Sequence, residues 1–334
     1  MVNEAQLRIE GSGQMIQQGN GILVKMDGCS FRFDPKRVLN DEVCMISHAH
    51  TDHLPTSFER PLAICSPVTR DFVKIRRKRE IEACSDERVK MLEAGHIVGS
   101  RMFLVQGESR ILYTGDFCTR EKENTKAAKP HRCDVLITEA TYGKPRYVFP
   151  DHAEMMSVVR DWLDDIVRRD GSAVLFAYPL GKSQELTASL KDLPLVLNPT
   201  IADNNRLLRK HGYDLVEKEF DGHYTKPPFV YITSGLGKDA ERIESLVKHG
   251  AKTAAFSGWA LDKGFSYQSG VDEAFPISDH CGFDELVEFV RKCSPKQVFT
   301  THGFVKELAM HLRRSLGVQA QPLISRQRTL DHFC

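Results

Sequence analysis

The sequence has no Cys-x-x-Cys pair, and its nine cysteines are odd in number and scattered. That excludes a cysteine zinc ribbon and argues against a disulfide framework. No apolar run approaches the ~18 residues of a membrane-crossing helix, so neither a span nor a membrane partner is expected. An excess of one charge sign is also lacking: 46 Lys+Arg against 45 Asp+Glu leave a net +1. This excludes nucleic-acid binding driven by gross charge, though not a local basic groove. There is no internal repeat and no low-complexity stretch. Residues 1–10 are polar and lack an apolar signal core, so a cytoplasmic protein is expected. What is present is an ordinary globular composition, 41% hydrophobic and 27% charged in 334 residues. That length holds two domains or one large one.

Two patterns divide the chain. The first is built of hairpins. Gly21–Met26 and Cys29–Phe33 flank Asp27 and Gly28, a type I′ turn pair. An apolar strand over 43–46 runs into residues 47–53, and residues 66–92 read as mostly helical and richly charged. A second hairpin joins 102–105 to 111–114 and ends at Asp116, and a strand over 135–138 stops at Glu139. From about residue 144 strand and helix alternate. A helix is predicted over 151–169, and a strand over 173–178 enters Gly181 and Lys182, with a helix from Ser183. A strand over 229–232 leads through Gly235, Gly237 and Lys238 to a helix over 239–248, and a strand over 253–256 enters Ser257, Gly258 and Trp259. This βα winding predicts a second domain. Residues 275–324 return to strand, loop, helix, strand, helix, strand.

The chemistry-bearing feature is H-x-H-x-D-H at His48, His50, Asp52 and His53. Two histidines two apart at a strand end can point to one side and share one metal. Asp52 and His53, just beyond, can be aimed at a second metal about 3.5–4 Å away. His96, between Gly95 and Gly99, and Asp116, after Thr114 and Gly115, have the same strand-end placement. A glycine-flanked histidine alone is more often structural; together these residues complete two sites with Asp116 as a bridge. A helical H-E-x-x-H is absent. His131, His152, His211, His223, His249, His311 and His332 lack such contexts and read as surface or packing residues.

Three further features suit a polyanion. Gly181, Lys182 and Gln184 fall at a predicted helix start, where free N–H groups and the dipole favour a phosphate. The spacing is not that of a Walker A loop, and a turn with a solvated lysine is the alternative. Ser257 and Trp259 could place an indole against a base, with core packing an equal alternative. The run from Lys74 to Arg79 is either a solvated helix face or a cationic track beside a groove.

The ordered set of H-x-H-x-D-H, His96 in its glycine loop and Thr114-Gly115-Asp116 resembles the metallo-β-lactamase superfamily. Glu139 with Ala140, Thr141, Tyr142 and Gly143, then Ser278-Asp279-His280, then Thr301-His302-Gly303, resemble motifs A, B and C of its β-CASP nucleases. Over roughly residues 18–325 the chain is similar to ligase-associated DNA exonucleases and archaeal mRNA 3′-end-processing-like exonucleases. The resemblance implies an α/β fold: an αββα sandwich from residues 1–143 and 271–334, with a βα-wound β-CASP domain inserted over 144–270. It implies one metal on His48, His50 and His96, a second on Asp52, His53 and His302, and Asp116 bridging, with Asp34 orienting the metal loop. Zinc suits the imidazole-rich set, and manganese fits the carboxylates. Two such ions lower the pKa of a shared water toward 7. The implied catalytic residues are Asp52, Glu139 and His280, with His280 protonating the leaving oxygen and Glu139 orienting it. The implied substrate is a single-stranded DNA or RNA end, in a chain that is a monomer or homodimer and has DNA-repair partners such as a ligase. The alternatives are an RNA 3′-end-processing nuclease and a small-molecule hydrolase of lactamase or thioesterase type; the long insertion between Glu139 and Ser278 argues against the latter. His302 resembles the RNA-processing branch, whereas the whole-chain likeness leans to DNA.

Overall fold

The computed structural model describes residues 5–8, 15–220, 226–235 and 239–323. Gly237, Lys238, His223 and His332 lie outside the described residues. The first hairpin forms as its turn residues require. Asp27 and Gly28 both take positive φ, 52° and 72°, the left-handed pair of a type I′ turn. Ala5–Arg8, Met15–Gly19, Gly21–Met26 and Cys29–Phe33 pair antiparallel in chain order, and Val43–Met45 adds parallel to Cys29–Phe33.

A second, six-stranded sheet takes its strands from both ends of the described chain. Val89–Glu93, Arg101–Gln106 and Arg110–Tyr113 are antiparallel; Val135–Ala140, Gln297–Gly303 and Gln319–Pro322 then follow in parallel. The helix expected over 66–92 covers only Pro67–Arg77. Ser66 caps its first turn, Pro67 starts it, and Lys78 stops it in a left-handed conformation at φ 52°. Val89–Glu93 is a strand instead, because pairing with Arg101–Gln106 overrides a local composition that suits a helix face.

The two sheets share one core. Ile16, Val24, Phe31 and Phe33 of the first meet Phe103, Tyr113, Ile137 and Phe299 of the second. Neighbouring strand residues face opposite ways, so Leu136, Leu112 and Val298 turn to the other side. There they pack on Leu286, Phe289 and Val290 of the helix Phe283–Cys293 and on Leu308 and Leu312 of the helix Val305–Leu316.

The chain between 140 and 297 builds a third sheet, all parallel, in the order Leu195–Leu197, Phe229–Thr233, Ser172–Phe176, Lys252–Phe256 and Glu273–Phe275. Parallel neighbours need crossovers; His152–Arg168 leads into the sheet, and Lys182–Ser189, Pro199–Lys210, Ala240–Lys248 and Phe265–Ser269 are α-helices between its strands. Glu273–Phe275 pairs parallel with Lys252–Phe256 at the edge of this sheet. Ala49, Phe72, Ile97 and Val98 pack against Leu180, Ala188, Leu207 and Leu208, which fastens the inserted segment onto the loops that carry the histidines. Among the described residues no helix is long and apolar enough to cross a membrane.

Leu136 is fully buried in the middle of the six-stranded sheet. Leu136→Ala is expected to lower the unfolding free energy by about 2–5 kcal/mol, read from urea titration. A loss below about 1 kcal/mol would contradict the packing described here.

Candidate metal centre

The residues of the centre sit at or just past a strand's C-terminal end or in a loop entering a strand. Asp34 follows Cys29–Phe33, the 47–53 loop follows Val43–Met45, and Asp116 follows Arg110–Tyr113. Glu139 and His302 close Val135–Ala140 and Gln297–Gly303, and His96 precedes Arg101–Gln106. Parallel strands bring their carboxyl ends to one edge, where ligand sites form. His302 needs a left-handed backbone, φ 57°, to turn its ring back over this edge. Gly303 behind it cannot carry a side chain, since a Cβ would lie 2.4 Å from the Ala140 carbonyl oxygen.

Asp34 is the anchor of the histidine loop. Its carboxylate accepts from Ser47 N at 2.6 Å, Ser47 Oγ at 2.7 Å, His53 Nδ1 at 2.8 Å and Tyr113 OH at 2.7 Å. Because Ser47 Oγ gives its proton to Asp34, it accepts from His48 Nδ1, 2.9 Å away. His50 Nε2 donates to the Leu180 carbonyl at 2.9 Å, and His96 Nδ1 to the Asp279 carbonyl at 3.0 Å. These partners fix the tautomers.

The remaining nitrogens of His48, His50 and His96 therefore carry lone pairs, and they converge. His50 Nδ1 lies 3.1 Å from His48 Nε2 and 3.0 Å from His96 Nε2. Asp116 Oδ2 is 3.6 Å from His48 Nε2, 3.8 Å from His96 Nε2 and 3.5 Å from His53 Nε2. Burial, reinforced by the neighbouring imidazoles, holds His48 and His96 well below the usual histidine range. Burial alone would raise Asp116, but His53, His280, His96 and His302 around it hold its carboxyl well below the carboxylate range. His53 Nε2 is buried with no hydrogen-bond partner. Three facing acceptors and an orphaned imidazole nitrogen fit a divalent cation and little else.

Two ligand clusters result, His48, His50, His96 and Asp116, and His53, Asp116 and His302. Asp116 belongs to both, as a bridge would. The His302 ring stacks on that of His53 at 5.2 Å. Asp52 stands at the rim, its side chain exposed and its Oδ2 3.7 Å from His53 Nε2. Burial would lower the His53 pKa, but Asp116 and Asp34 push it up to about 9, so a metal there must displace a proton.

A third grouping abuts the first two. His280 Nδ1 is 3.0 and 2.9 Å from the two Glu139 oxygens. Glu139 is buried and also accepts from Phe117 N at 2.8 Å and from the Thr141 hydroxyl. Burial would depress His280, but Glu139 pushes it up to about 9. Glu139 thus favours the charged form of His280, and the His280 Nε2 is not engaged by Glu139. His280, His96, His50, Asp116 and His302 line a cleft of about 510 Å³ whose lining also includes Tyr178, Pro179, Ser257 and Trp259.

The groups at 181–184 expected to face a phosphate have partners within the protein. Gly181 N donates to Gln184 Oε1 at 2.6 Å, and buried Gln184 also donates to Asn205 Oδ1 at 2.8 Å. Lys182 lines the cleft but is buried, its Nζ held by Glu185 Oε2 at 2.8 Å and Asp279 Oδ1 at 3.0 Å. Lys122 Nζ reaches the same Asp279 oxygen at 3.0 Å and the His96 carbonyl at 2.7 Å. His152 Nε2 lies 2.6 Å from Glu185 Oε1. This buried charge network escapes a sequence reading. The three-residue step from Lys182 to Glu185 is its single local signal. The basic run is also divided: Arg76 donates to the Ala49 carbonyl at 2.6 Å and Arg77 to those of Thr51 and Leu54 at 2.8 and 3.2 Å. Two of its guanidinium groups brace the histidine loop. Ser257 Oγ caps Trp259 N at 3.3 Å. The Trp259 indole is half-buried against Tyr142, Tyr147 and Phe304, with ring centroids 4.8, 5.4 and 6.2 Å away.

Asp34→Ala removes the acceptor that orients His53 and Ser47. Metal affinity is expected to fall about 10–100-fold, measured by competition with a chromophoric chelator. Unchanged affinity would contradict the orienting role.

No protein-family model matches the chain. It is 34% identical over 296 residues to a probable DNA ligase of Opitutus terrae, across 82% of this chain and 28% of that protein. The chain therefore spans little more than a quarter of that relative's length. It is 24% identical to a probable RNase MJ4 of Methanocaldococcus jannaschii, over 77% of this chain and 80% of the relative. It is 24% identical to the DNA cross-link repair protein SNM1 of Arabidopsis thaliana, over 83% and 65%. The fold matches a crystal structure of a protein of unknown function from Enterococcus faecalis V583 at TM-score 0.60 and 13% identity, covering 95% and 96% of the two chains. With its motifs drawn into one strand-edge centre and relatives of this kind, the chain belongs to the β-CASP metallo-β-lactamase family.

Proposed function

We propose that the protein is a metal-dependent phosphodiester hydrolase, an exonuclease on single-stranded DNA or RNA ends. One observation carries this reading. Two ligand clusters share Asp116, and beside them, on the same cleft, stands the His280 imidazole braced by the buried Glu139 carboxylate. The two sheets with helices on their outer sides are read as an αββα sandwich formed by residues 1–143 and 271–334, into which a β-CASP domain is inserted. His48, His50 and His96 would hold one ion and Asp52, His53 and His302 the other, with Asp116 between them. The imidazole majority favours zinc, and the carboxylates leave room for manganese.

When bound, the ions supply a water acidified toward neutrality and positive charge against the phosphate oxygens. The chain's own residues do the rest. Glu139 accepts from His280 Nδ1, so the Nε2 proton is the one free to move. It passes to the departing sugar oxygen as the P–O bond breaks, which avoids expelling an alkoxide. Glu139 orients the ring throughout and stabilises its charged form. The walls of the cleft exclude bulk water around the scissile bond. The ligase-named relative favours a role at DNA ends that a ligase later joins, and the RNase-named relative makes RNA the alternative to be tested.

His280→Ala should retain metal and lose about 10²–10⁴ in turnover on 5′- or 3′-labelled DNA and RNA strands supplied with Zn²⁺ or Mn²⁺. Undiminished turnover would remove the acid from the mechanism. Cleavage of small esters or lactams without cleavage of any strand would overturn the nuclease reading.

A further inference from the structure

Away from the metal centre the described part of the cleft offers few side-chain charges to a nucleic-acid backbone. Among the described residues, and apart from its histidines, the cations lining it are Arg76 and Lys182. Both are engaged, Arg76 with the Ala49 carbonyl and Lys182 with Glu185 and Asp279. The indole of Trp259 is packed among other rings. Orientation of a strand must come from another kind of contact.

Tyr178 supplies one. Its side chain is 66% exposed, and among the exposed large apolar side chains of the described residues it alone lines this cleft. An exposed aromatic would ordinarily be mobile, but here the chain beneath it is pinned on every carbonyl. Ser183 Oγ donates to the Tyr178 carbonyl at 2.5 Å, and Asn204 Nδ2 and Gln184 Nε2 donate to that of Pro179 at 2.7 and 3.2 Å. His50 Nε2 donates to that of Leu180 at 2.9 Å. Proline at 179 further restricts the backbone of Tyr178. The result is a rigid mount for a free ring. Leu180, whose carbonyl orients His50, is two positions on from Tyr178, a Cα span of at most about 7 Å. Tyr178 and the His50 end of the metal centre thus line one cleft.

We propose that Tyr178 is the stacking platform for an unpaired nucleobase next to the scissile phosphate, and that this contact selects single-stranded ends. The proposal rests on the nuclease reading and adds a base subsite to it. Each base has a π-face, so the contact tolerates sequence. A base inside a duplex has both faces covered by its neighbours and cannot use the platform without being unstacked. The phenol hydroxyl is not required, only the ring.

The test uses His280→Ala as the background, so that strands bind without being cut, and reads fluorescence anisotropy of a labelled oligodeoxynucleotide in the metal-loaded protein. Adding Tyr178→Ala should weaken binding about 5- to 150-fold, the value of one base–aromatic stack. Tyr178→Phe should bind within about twofold of its parent. A strand lacking its terminal bases should bind the parent as weakly as the intact strand binds the Tyr178→Ala protein, and should lose nothing further when Tyr178 is replaced. Equal affinity of the parent and Tyr178→Ala for the intact strand would overturn the proposal. So would an equal loss on intact and abasic strands, which would make the ring a prop for the loop. Because binding is read apart from cleavage, a protein that binds through Tyr178 yet cuts no strand would sink the nuclease reading and leave the base subsite standing.

Discussion

An imidazole can give a lone pair to a metal only when its other nitrogen is held as a donor, and the whole centre depends on how that second nitrogen is satisfied. Asp34, Ser47, the Leu180 carbonyl and the Asp279 carbonyl each take one such proton. With those acceptors in place, His48, His50 and His96 have no choice of tautomer, and His53 turns its Nε2 inward. The bare nitrogens of His48, His50 and His96 face one another across 3.0–3.1 Å, and Asp116 stands 3.5–3.8 Å from His48, His53 and His96. Such a cluster of acceptors is unfavourable without a cation, and the surrounding packing must impose it.

The acceptors come from distant parts of the chain. Ser47 and Asp34 are local, but Leu180 lies in the inserted winding and Asp279 on the return to the six-stranded sheet. The metal centre is therefore complete only when the inserted segment is docked, and the contacts of Leu180 and Ala188 with Val68, Ile97 and Val98 do the docking. Lys122 and Lys182 meet on one oxygen of Asp279, and Lys122 also holds the His96 carbonyl. Buried charges are tolerated only when so paired. Here the pairing fixes the backbone at His96 and next to His280. Arg76 and Arg77 do the same for the histidine loop from the other side.

Much of this was legible in the sequence, and the boundary has a physical cause. Strand-end histidines at a spacing of two, the Asp27-Gly28 turn and the alternation of strand and helix after residue 144 are local signals, and local geometry follows from them. The side-chain roles of Gly181, Lys182, Gln184 and Trp259 were not legible. A lysine at a helix start looks the same whether its ammonium meets a phosphate or a buried Asp279, which lies 97 residues further on. Val89–Glu93 reads as helix until its partner Arg101–Gln106 is in view. Tyr178 shows no motif at all; its significance lies in exposure beside the centre.

The central claim is that these converging nitrogens and the shared Asp116 hold a pair of divalent ions. Elemental analysis of protein purified without chelator, repeated after stripping and reconstitution, tests it most directly. Two equivalents of zinc or manganese per chain are expected, falling toward one or none when Asp116 is replaced by Ala. Less than one equivalent, not restored by reconstitution, would contradict the account.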